Sequence, residues 1–187
     1  MNRIIFLSFF VFLFSACTSQ KKEKVQNKSE KIKILIDTDA NNELDDQHAL
    51  AYAFLNNDAF EIAGITVNNT INGEGIQGHY DEALRIIRLF NLEDKIPLKK
   101  GASGNYNEIA PNILEPDFDG AEAVDFIIQE ALKMKDEKLV LLPVGKLTNV
   151  TLAILKEPKI IDKIRVVWLG SNYPDAGEYN LENDTTS

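Results

Sequence analysis

Four short apolar runs, rich in β-branched residues, constrain the fold of this 187-residue chain more than any other feature. The runs are Ile32–Ile36, Phe60–Val67, Leu139–Val144 and Ile164–Leu169. Each is predominantly apolar, which is typical of strands that are buried on both faces of a parallel sheet. Between the runs, apolar residues recur with helical spacing in Asp46–Leu55, Gly75–Phe90, Gly120–Met134 and Leu147–Leu155. This alternation predicts an α/β fold with a Rossmann-like, mostly parallel sheet and flanking helices.

Polar residues follow every one of these runs. They are Asp37-Thr38-Asp39, Asn68-Asn69-Thr70, Gly145-Lys146-Leu147-Thr148-Asn149 and Gly170-Ser171-Asn172. In a parallel sheet the carboxyl ends of the strands meet at one edge, and the binding crevice of such domains lies outside that edge. The sequence therefore predicts one functional site built from all four strand ends.

The densest charge lies after the first run, where residues 37–46 hold four aspartates and one glutamate. These carboxylates would repel one another without a counter-charge, and oxygen-only ligands of this kind suit Ca²⁺ or Mg²⁺. Asp45 and Asp46 also stand where a helix begins, and capping and the helix dipole favour acidic residues there. That alternative leaves Asp37 and Asp39, at the strand end, without an explanation. The cluster therefore predicts a cation site.

The first residues predict a targeting segment rather than part of the fold. Arg3 precedes an apolar run, Ile4–Phe14, which only Ser8 interrupts and which is too short to span a membrane, and Ser15-Ala16-Cys17 follows. Small residues directly before a cysteine predict that residues 1–16 are a lipoprotein signal peptide and that Cys17 becomes the lipidated N-terminus. An ordinary secretory signal with an incidental cysteine is the alternative. We therefore expect an exported bacterial lipoprotein, periplasmic or at the cell surface, that is anchored to the membrane only through its lipid.

Composition limits what the rest of the chain can do. Polar residues 17–31 predict a tether, and residues 32–187 predict one folded domain. Cys17 is the only cysteine, so disulfides, thiolate metal sites and cysteine nucleophiles are excluded from the folded part. The net charge of −9, together with a basic tether, makes the domain acidic and argues against a nucleic-acid partner. His48 and His79 stand apart from any readable base or nucleophile and are predicted to be structural.

The segment from Ile32 to the helix that contains Asp46 resembles the start of the inosine–uridine preferring nucleoside hydrolase family. In that family a strand leads into Asp-Thr-Asp-Pro-Gly-x-Asp-Asp and then into a helix. Here Pro-Gly is absent, and the connection Ala40–Leu44 is two residues longer. Three further stretches agree with the family in order and spacing: Gly64–Asn69, Pro143–Asn149 and Gly177–Asn180. Across residues 32–187 the resemblance implies the nucleoside hydrolase fold.

The resemblance also implies a Ca²⁺ site. Asp39 and Asp46 match carboxylates that ligate the ion, and Thr148 matches the residue that contributes its backbone carbonyl. Asp37 matches an aspartate that supports the metal site. Asp39 can also take the proton of a Ca²⁺-activated water, which makes it the expected catalytic residue.

Four further residues match groups that hold the ribose hydroxyls: Asp45, Asn69, Glu178 and Asn180. The implied activity is hydrolysis of the N-glycosidic bond of a ribonucleoside, a small-molecule substrate, which gives ribose and a free base. A homo-oligomer is compatible with the sequence. The alternatives are a lipid-anchored protein that binds ribosides or other sugars without turnover, and a hydrolase of the same fold that acts on other glycosides.

Family members continue well beyond the segment that matches Glu178 and Asn180. Their later part supplies one more aspartate ligand and, in many members, a histidine near the leaving base. Neither residue can be assigned in this sequence. The sequence is therefore interpreted as the N-terminal portion of a family member, and an inactive or poorly folded fragment is a further expectation.

Overall fold

The computed structural model describes residues 30–170, so the expectations for Cys17, Glu178 and Asn180 lie outside the described residues. Within that range, no helix combines the length and the apolar character needed to cross a membrane. The same range forms a parallel sheet with helices packed on both sides. The predicted α/β class is confirmed.

One sheet of five parallel strands organises residues 30–170. The strands are β1 (Ile32–Thr38), β2 (Phe60–Val67), β3 (Leu98–Lys100), β4 (Leu139–Pro143) and β5 (Ile164–Val166). Their spatial order is β3-β2-β1-β4-β5. The chain thus runs outward from β1 to β3 and then returns to the other side of β1, so the strand order reverses between β1 and β4. In open α/β sheets, ligands bind outside the carboxyl ends of the strands at such a point.

Five α-helices accompany the strands in the described part of the chain. They are α1 (Leu44–Leu55), α2 (Gly75–Leu89), α3 (Tyr106–Ile109), α4 (Ala121–Leu132) and α5 (Thr148–Lys156), with 3₁₀ helices at Ala110–Asn112 and Pro158–Lys163. The four predicted strands and the four predicted helices are all present, and their ends differ from the predicted ones by at most three residues.

The central strand β1 faces the core on both sides, which explains why Ile34, Leu35 and Ile36 are all apolar. Ile34 and Ile36 join a hydrophobic cluster with Leu50 on the side of α1 and α2. Leu35 joins a second cluster with Ile127 on the side of α4 and α5. All five side chains are 3% exposed or less. Burial of both faces fixes β1, and therefore the aspartates that follow it, in the middle of the domain.

On the side of α1 and α2, the described residues cover strands β4 and β5 only partly. A groove of about 1170 Å³ runs along them. Its apolar lining includes Val140, Leu142, Val144, Val167 and Leu169. The side chains that point the other way from β4, Leu139 and Leu141, are fully buried in the cluster under α4 and α5. Strand β4 therefore has one covered and one open face.

The stretch Leu92–Asp119, in which Pro and Gly predict mostly loop, contains β3 and α3 as well. Strand β3 has only three residues, which pair with Ile65–Val67 of β2. Helix α3 has only four residues, and at its start the Glu108 carboxylate accepts a hydrogen bond from the Asn105 backbone N–H (2.8 Å). Elements this short contain too few side chains to show a periodicity, so pattern analysis does not find them.

Replacing Leu35 with alanine tests the central position of β1. We expect Leu35→Ala to lower the free energy of unfolding by about 2–5 kcal/mol, because it leaves a cavity in the core. Leu55→Ala is the matched control, since Leu55 is 70% exposed at the end of α1, and it should change that free energy by less than about 0.5 kcal/mol. Urea unfolding followed by circular dichroism gives both values. Equal losses in the two variants would contradict this placement of β1.

Candidate active site

The polar residues that follow β1, β2 and β4 come together at the carboxyl edge of the sheet. Strand-like pairing continues just past the strands: the Asn68 N–H donates to the Thr38 carbonyl (3.0 Å), and the Val144 N–H donates to the Asp37 carbonyl (2.9 Å). These bonds hold the carboxyl ends of β1, β2 and β4 side by side at the point where the strand order reverses. Three of the four strand ends predicted to form one site therefore meet at this edge, whereas Ser171 and Asn172 of the fourth lie outside the described residues.

Asp37 is the buried centre of a hydrogen-bond network. Its Oδ1 accepts from Thr66 Oγ1 (2.5 Å) and Asn149 Nδ2 (2.8 Å), and its Oδ2 accepts from Asn68 Nδ2 (3.0 Å). Burial raises the pKa of Asp37 to about 6; the three hydrogen bonds oppose this shift, and the negative charge of Asp39 adds to it. Because both oxygens are occupied by protein donors, Asp37 holds the site together rather than facing a ligand.

Asn149, at the start of α5, is fully buried and ties three segments together. Its Nδ2 also donates to the Val67 carbonyl (3.1 Å), and its Oδ1 accepts from the Ala102 N–H (2.8 Å). A Cβ on Gly101 would lie 2.3 Å from Asn149 Nδ2 and 2.2 Å from the Val67 carbonyl oxygen. Only glycine fits there, so the loop after β3 lies directly against the Asn149 amide.

Asp39 is 2% exposed, and within residues 30–170 only one of its oxygens has a hydrogen-bond partner. Its Oδ2 accepts from Thr70 Oγ1 (2.6 Å), whereas its Oδ1 is buried without any hydrogen bond. A Cβ on Gly145 would lie 2.4 Å from that Oδ1 and 3.0 Å from Asn68 Oδ1, which also has no partner. Two buried, unpartnered oxygens therefore converge on one point beside Gly145, which we call the Gly145 cradle.

Asp46 lies in the first turn of α1 and is 5% exposed. Its Oδ1 accepts a hydrogen bond from Thr38 Oγ1 (2.8 Å). The pKa of Asp46 is raised to about 8, mainly by burial and next by the charge of Asp39, with smaller increases from Asp45 and Glu43, while the Thr38 hydroxyl opposes the shift. Asp39 and Asp46 thus repel each other when both are ionised, and a cation between them would remove that repulsion.

The donor set fits a hard cation. Asp39, Asp46, Asn68 and Thr148 all offer oxygen atoms, which Ca²⁺ and Mg²⁺ prefer. The Thr148 carbonyl accepts from Thr151 Oγ1 (3.1 Å) and keeps a second lone pair, while the Thr148 hydroxyl is buried without a partner. Among residues 30–170, no cluster of three or more His, Cys, Asp or Glu side chains could hold a metal. Neutral oxygens would therefore complete a site with two carboxylates.

The chain matches a known protein family over most of its length. Residues 34–186 match the family model described as inosine-uridine preferring nucleoside hydrolase. The chain belongs to this nucleoside hydrolase family. The match covers Asp39, Asp46 and Thr148. It also covers Glu178 and Asn180, which lie outside the described residues. Hydrolases of this family depend on a metal ion.

Three relatives show the extent of the likeness. The inosine-uridine preferring nucleoside hydrolase of Leishmania major is 34% identical over 74 residues, which are 39% of this chain and 24% of that enzyme. The solved structure of the same type of enzyme from Bacillus anthracis aligns with a TM-score of 0.59 and 23% identity, covering 79% of this chain and 53% of that one. The purine-preferring ribonucleoside hydrolase from Gardnerella vaginalis aligns with a TM-score of 0.54 and 25% identity, covering 75% and 49%. The chain thus spans about half the length of these structures.

Of the four residues predicted to hold ribose, Asp45 and Asn69 belong to the described part of the chain and lie next to the candidate site. Asp45 is exposed in the first turn of α1. Asn69 donates from Nδ2 to the Ser103 carbonyl (3.0 Å), and its Oδ1 is buried without a partner. Glu178 and Asn180 lie outside the described residues.

Sequence reasoning missed Asn68 and Thr70, which contact Asp37 and Asp39 directly. Asn68, Asn69 and Thr70 are all polar, so residue type alone does not indicate which of them points toward the aspartates. Strand periodicity gives a usable signal, because Thr66 and Asn68 are two residues apart and therefore share a face. Both contact Asp37.

The buried aspartates give stability a specific pH dependence. The pKa values of Asp37 and Asp46 are raised to about 6 and about 8, against about 4 in an unfolded chain. Between about pH 4 and pH 8 the folded state binds more protons, so in Ca²⁺-free buffer these groups lower the free energy of unfolding as pH rises. Urea unfolding in EDTA at about pH 5.5 and pH 8.5 measures the decline, which Asp46→Asn should reduce. An unchanged decline in that variant would contradict the assignment to Asp46.

Proposed function

We propose that this protein is a Ca²⁺-dependent nucleoside hydrolase that cleaves the N-glycosidic bond of ribonucleosides and releases ribose and a free base. The observation that carries this proposal is the Gly145 cradle, where Asp39 Oδ1 is buried without a hydrogen-bond partner. A buried, unpaired carboxylate oxygen is costly unless a cation or a ligand satisfies it. Membership of the nucleoside hydrolase family supports the proposal.

Asp39, Asp46 and Thr148 would hold the ion. Two carboxylates and neutral oxygens give a hard, oxygen-only site, and the flexible coordination of Ca²⁺ suits such a mixed set better than the strict octahedron of Mg²⁺. When bound, the ion supplies Lewis-acid activation of a water molecule and a fixed point for the ribose hydroxyls. The acidic surroundings match a cationic ligand as well as a substrate that becomes positively charged during reaction.

Asp39 is the residue that would accept the proton of the attacking water. Thr70 Oγ1 occupies its Oδ2 (2.6 Å), so Oδ1 is the oxygen that remains for this task. Asn68 Oδ1 faces the same point and can accept the other hydrogen of that water. Asn68 in turn is fixed by its bond to Asp37 (3.0 Å). The water would thus be aimed by two oxygens whose orientations are already set.

The ribose is expected to lie next to this water. Cleavage of a glycosidic bond develops positive charge on the sugar ring, and the carboxylates of Asp39, Asp45 and Asp46 would stabilise that charge. Asn69, whose Oδ1 has no partner, is placed to accept a hydrogen bond from a ribose hydroxyl. Glu178 and Asn180 are proposed to complete the ribose contacts because they match the family positions that do so.

Release of base from inosine and uridine by the purified chain tests the proposed reaction. We expect Ca²⁺-dependent release that EDTA abolishes, and Asp39→Asn should lower kcat/KM by about 10²–10⁴-fold because it removes the general base. Asp58→Asn is a matched control, since Asp58 is exposed in the turn between α1 and β2, at the edge of the sheet opposite the candidate site.

Three results would separate the hypotheses. Base release that Asp39→Asn leaves unchanged would contradict the role of Asp39. Ca²⁺-dependent binding of ribose without base release would favour a riboside-binding protein of the same fold. Absence of both Ca²⁺ binding and base release would contradict the proposed function.

We also propose that Cys17 carries lipid and anchors the exported protein to the bacterial membrane. The apolar run that ends in Ser15-Ala16-Cys17 supports this proposal. In a bacterial host, Cys17→Ser should move the protein from the membrane fraction to the soluble fraction, because the lipid attachment site is lost. Thr18→Ser is the control and should leave the protein with the membrane. Equal membrane association of both variants would contradict lipidation at Cys17.

A further inference from the structure

His79, in the first half of α2, contacts both loops that carry the candidate ligands. Its ring is fully buried. The Asn41 N–H points at Nδ1 (3.3 Å), and the Thr70 N–H points at Nε2 (3.5 Å). A neutral imidazole has one lone pair for such a bond, so the shorter contact, from Asn41, is the stronger one. His79 therefore lies between the loop after β1 and the loop after β2.

The loop after β1 is the connection that lacks Pro-Gly and is longer than the family pattern. A tight turn opens it, since the Asn42 N–H donates to the Asp39 carbonyl (2.7 Å). Besides the bond from its N–H to His79, Asn41 makes a second hydrogen bond that holds this turn, in which its Nδ2 donates to the Gly73 carbonyl (2.9 Å). The backbone directly after Asp39 is thus held by α2 and by the loop before it.

The loop after β2 packs on the same ring. Gly73 has a φ of +90°, and a Cβ there would lie 2.3 Å from Cε1 of His79. Thr70, whose N–H faces the ring, donates its hydroxyl to Asp39 Oδ2. A single imidazole therefore accepts from the turn that follows Asp39 and also packs against Thr70, the residue whose hydroxyl occupies the second oxygen of Asp39.

We propose that His79 is a positioning residue that fixes Asp39 so that its Oδ1 faces the Gly145 cradle. This inference rests on the proposed function, because it assigns His79 to the cation site of that function. Elsewhere on α2, Ala83, Ile86 and Ile87 form the apolar stripe that packs into the core, whereas His79 meets polar backbone groups of the two site loops. His79 therefore contributes to the orientation of the Asp39 carboxylate and not only to the packing of the core.

Calcium affinity of the full chain, measured by isothermal titration with CaCl₂, tests this role. Outer contacts of metal ligands typically change metal affinity by about 10–100-fold, and His79→Leu, which keeps bulk but removes the acceptor, should weaken Ca²⁺ binding by about that factor. His79→Gln keeps an acceptor for the Asn41 N–H and should remain within about threefold of wild type. Ile87→Val is the control, because it disturbs the same helix from the core side and should lower the melting temperature without changing the Kd.

A second measurement makes the test independent of the cation. Hydrogen exchange of the Asn41 amide in Ca²⁺-free protein should be slow in wild type and His79→Gln and fast in His79→Leu. If His79→Leu does not fold, Asn41→Ala removes the other fastening of the same turn and should weaken Ca²⁺ binding in the same direction.

Each negative result has one meaning. Wild-type Ca²⁺ affinity in His79→Leu, or equal weakening by Leu and Gln, would overturn the positioning role. A wild-type chain that binds no Ca²⁺ would overturn the proposed function, and exchange of the Asn41 amide would still decide whether His79 holds the loop. Unchanged exchange in His79→Leu would overturn the inference on its own.

Discussion

The carboxylate of Asp37 is buried in the middle of the domain, and its three hydrogen-bond donors come from different parts of the chain. Thr66 lies in β2, Asn68 follows β2, and Asn149 lies at the start of α5. An incomplete set would leave a buried charge without partners, which costs several kcal/mol. Asp37 pairs with Thr66 of β2 on one side and with Pro143 of β4 on the other. A shift of either strand would separate the Asp37 carboxylate from its donors, so the geometry of the site edge depends on these hydrogen bonds.

Two aspartates that are two residues apart have different tasks because their partners differ. Asp37 has both oxygens occupied by protein donors, whereas Asp39 has only Oδ2 occupied. The occupied carboxylate gives rigidity, and the half-occupied one keeps an oxygen for a ligand. The same division applies to Asn68, whose amide nitrogen binds Asp37 and whose amide oxygen has no partner. Rigid groups thus orient the atoms that remain available for chemistry.

The sequence predicts what depends on local pattern. The strand Phe60–Val67 has the predicted bounds, and Asp39, Asp46 and Thr148 are among the buried residues at the predicted edge. Strand β3 and helix α3 were not predicted because they are too short to show a period. The orientation of Asn68 and the role of His79 depend on contacts with residues about 30 to 40 positions away. Such contacts leave no periodic signal along the chain, so they become visible only in three dimensions.

The hydrogen bond between Asp37 and Asn149 spans 112 residues, and this separation has a consequence for biosynthesis. A nascent chain that has left the ribosome only as far as β3 holds every aspartate of the cluster but neither Asn149 nor the glycine that faces Asp39. The proposed cation site would therefore be complete only after β4 has paired with β1. Metal binding at that site would follow the assembly of the sheet edge and stabilise it rather than guide it.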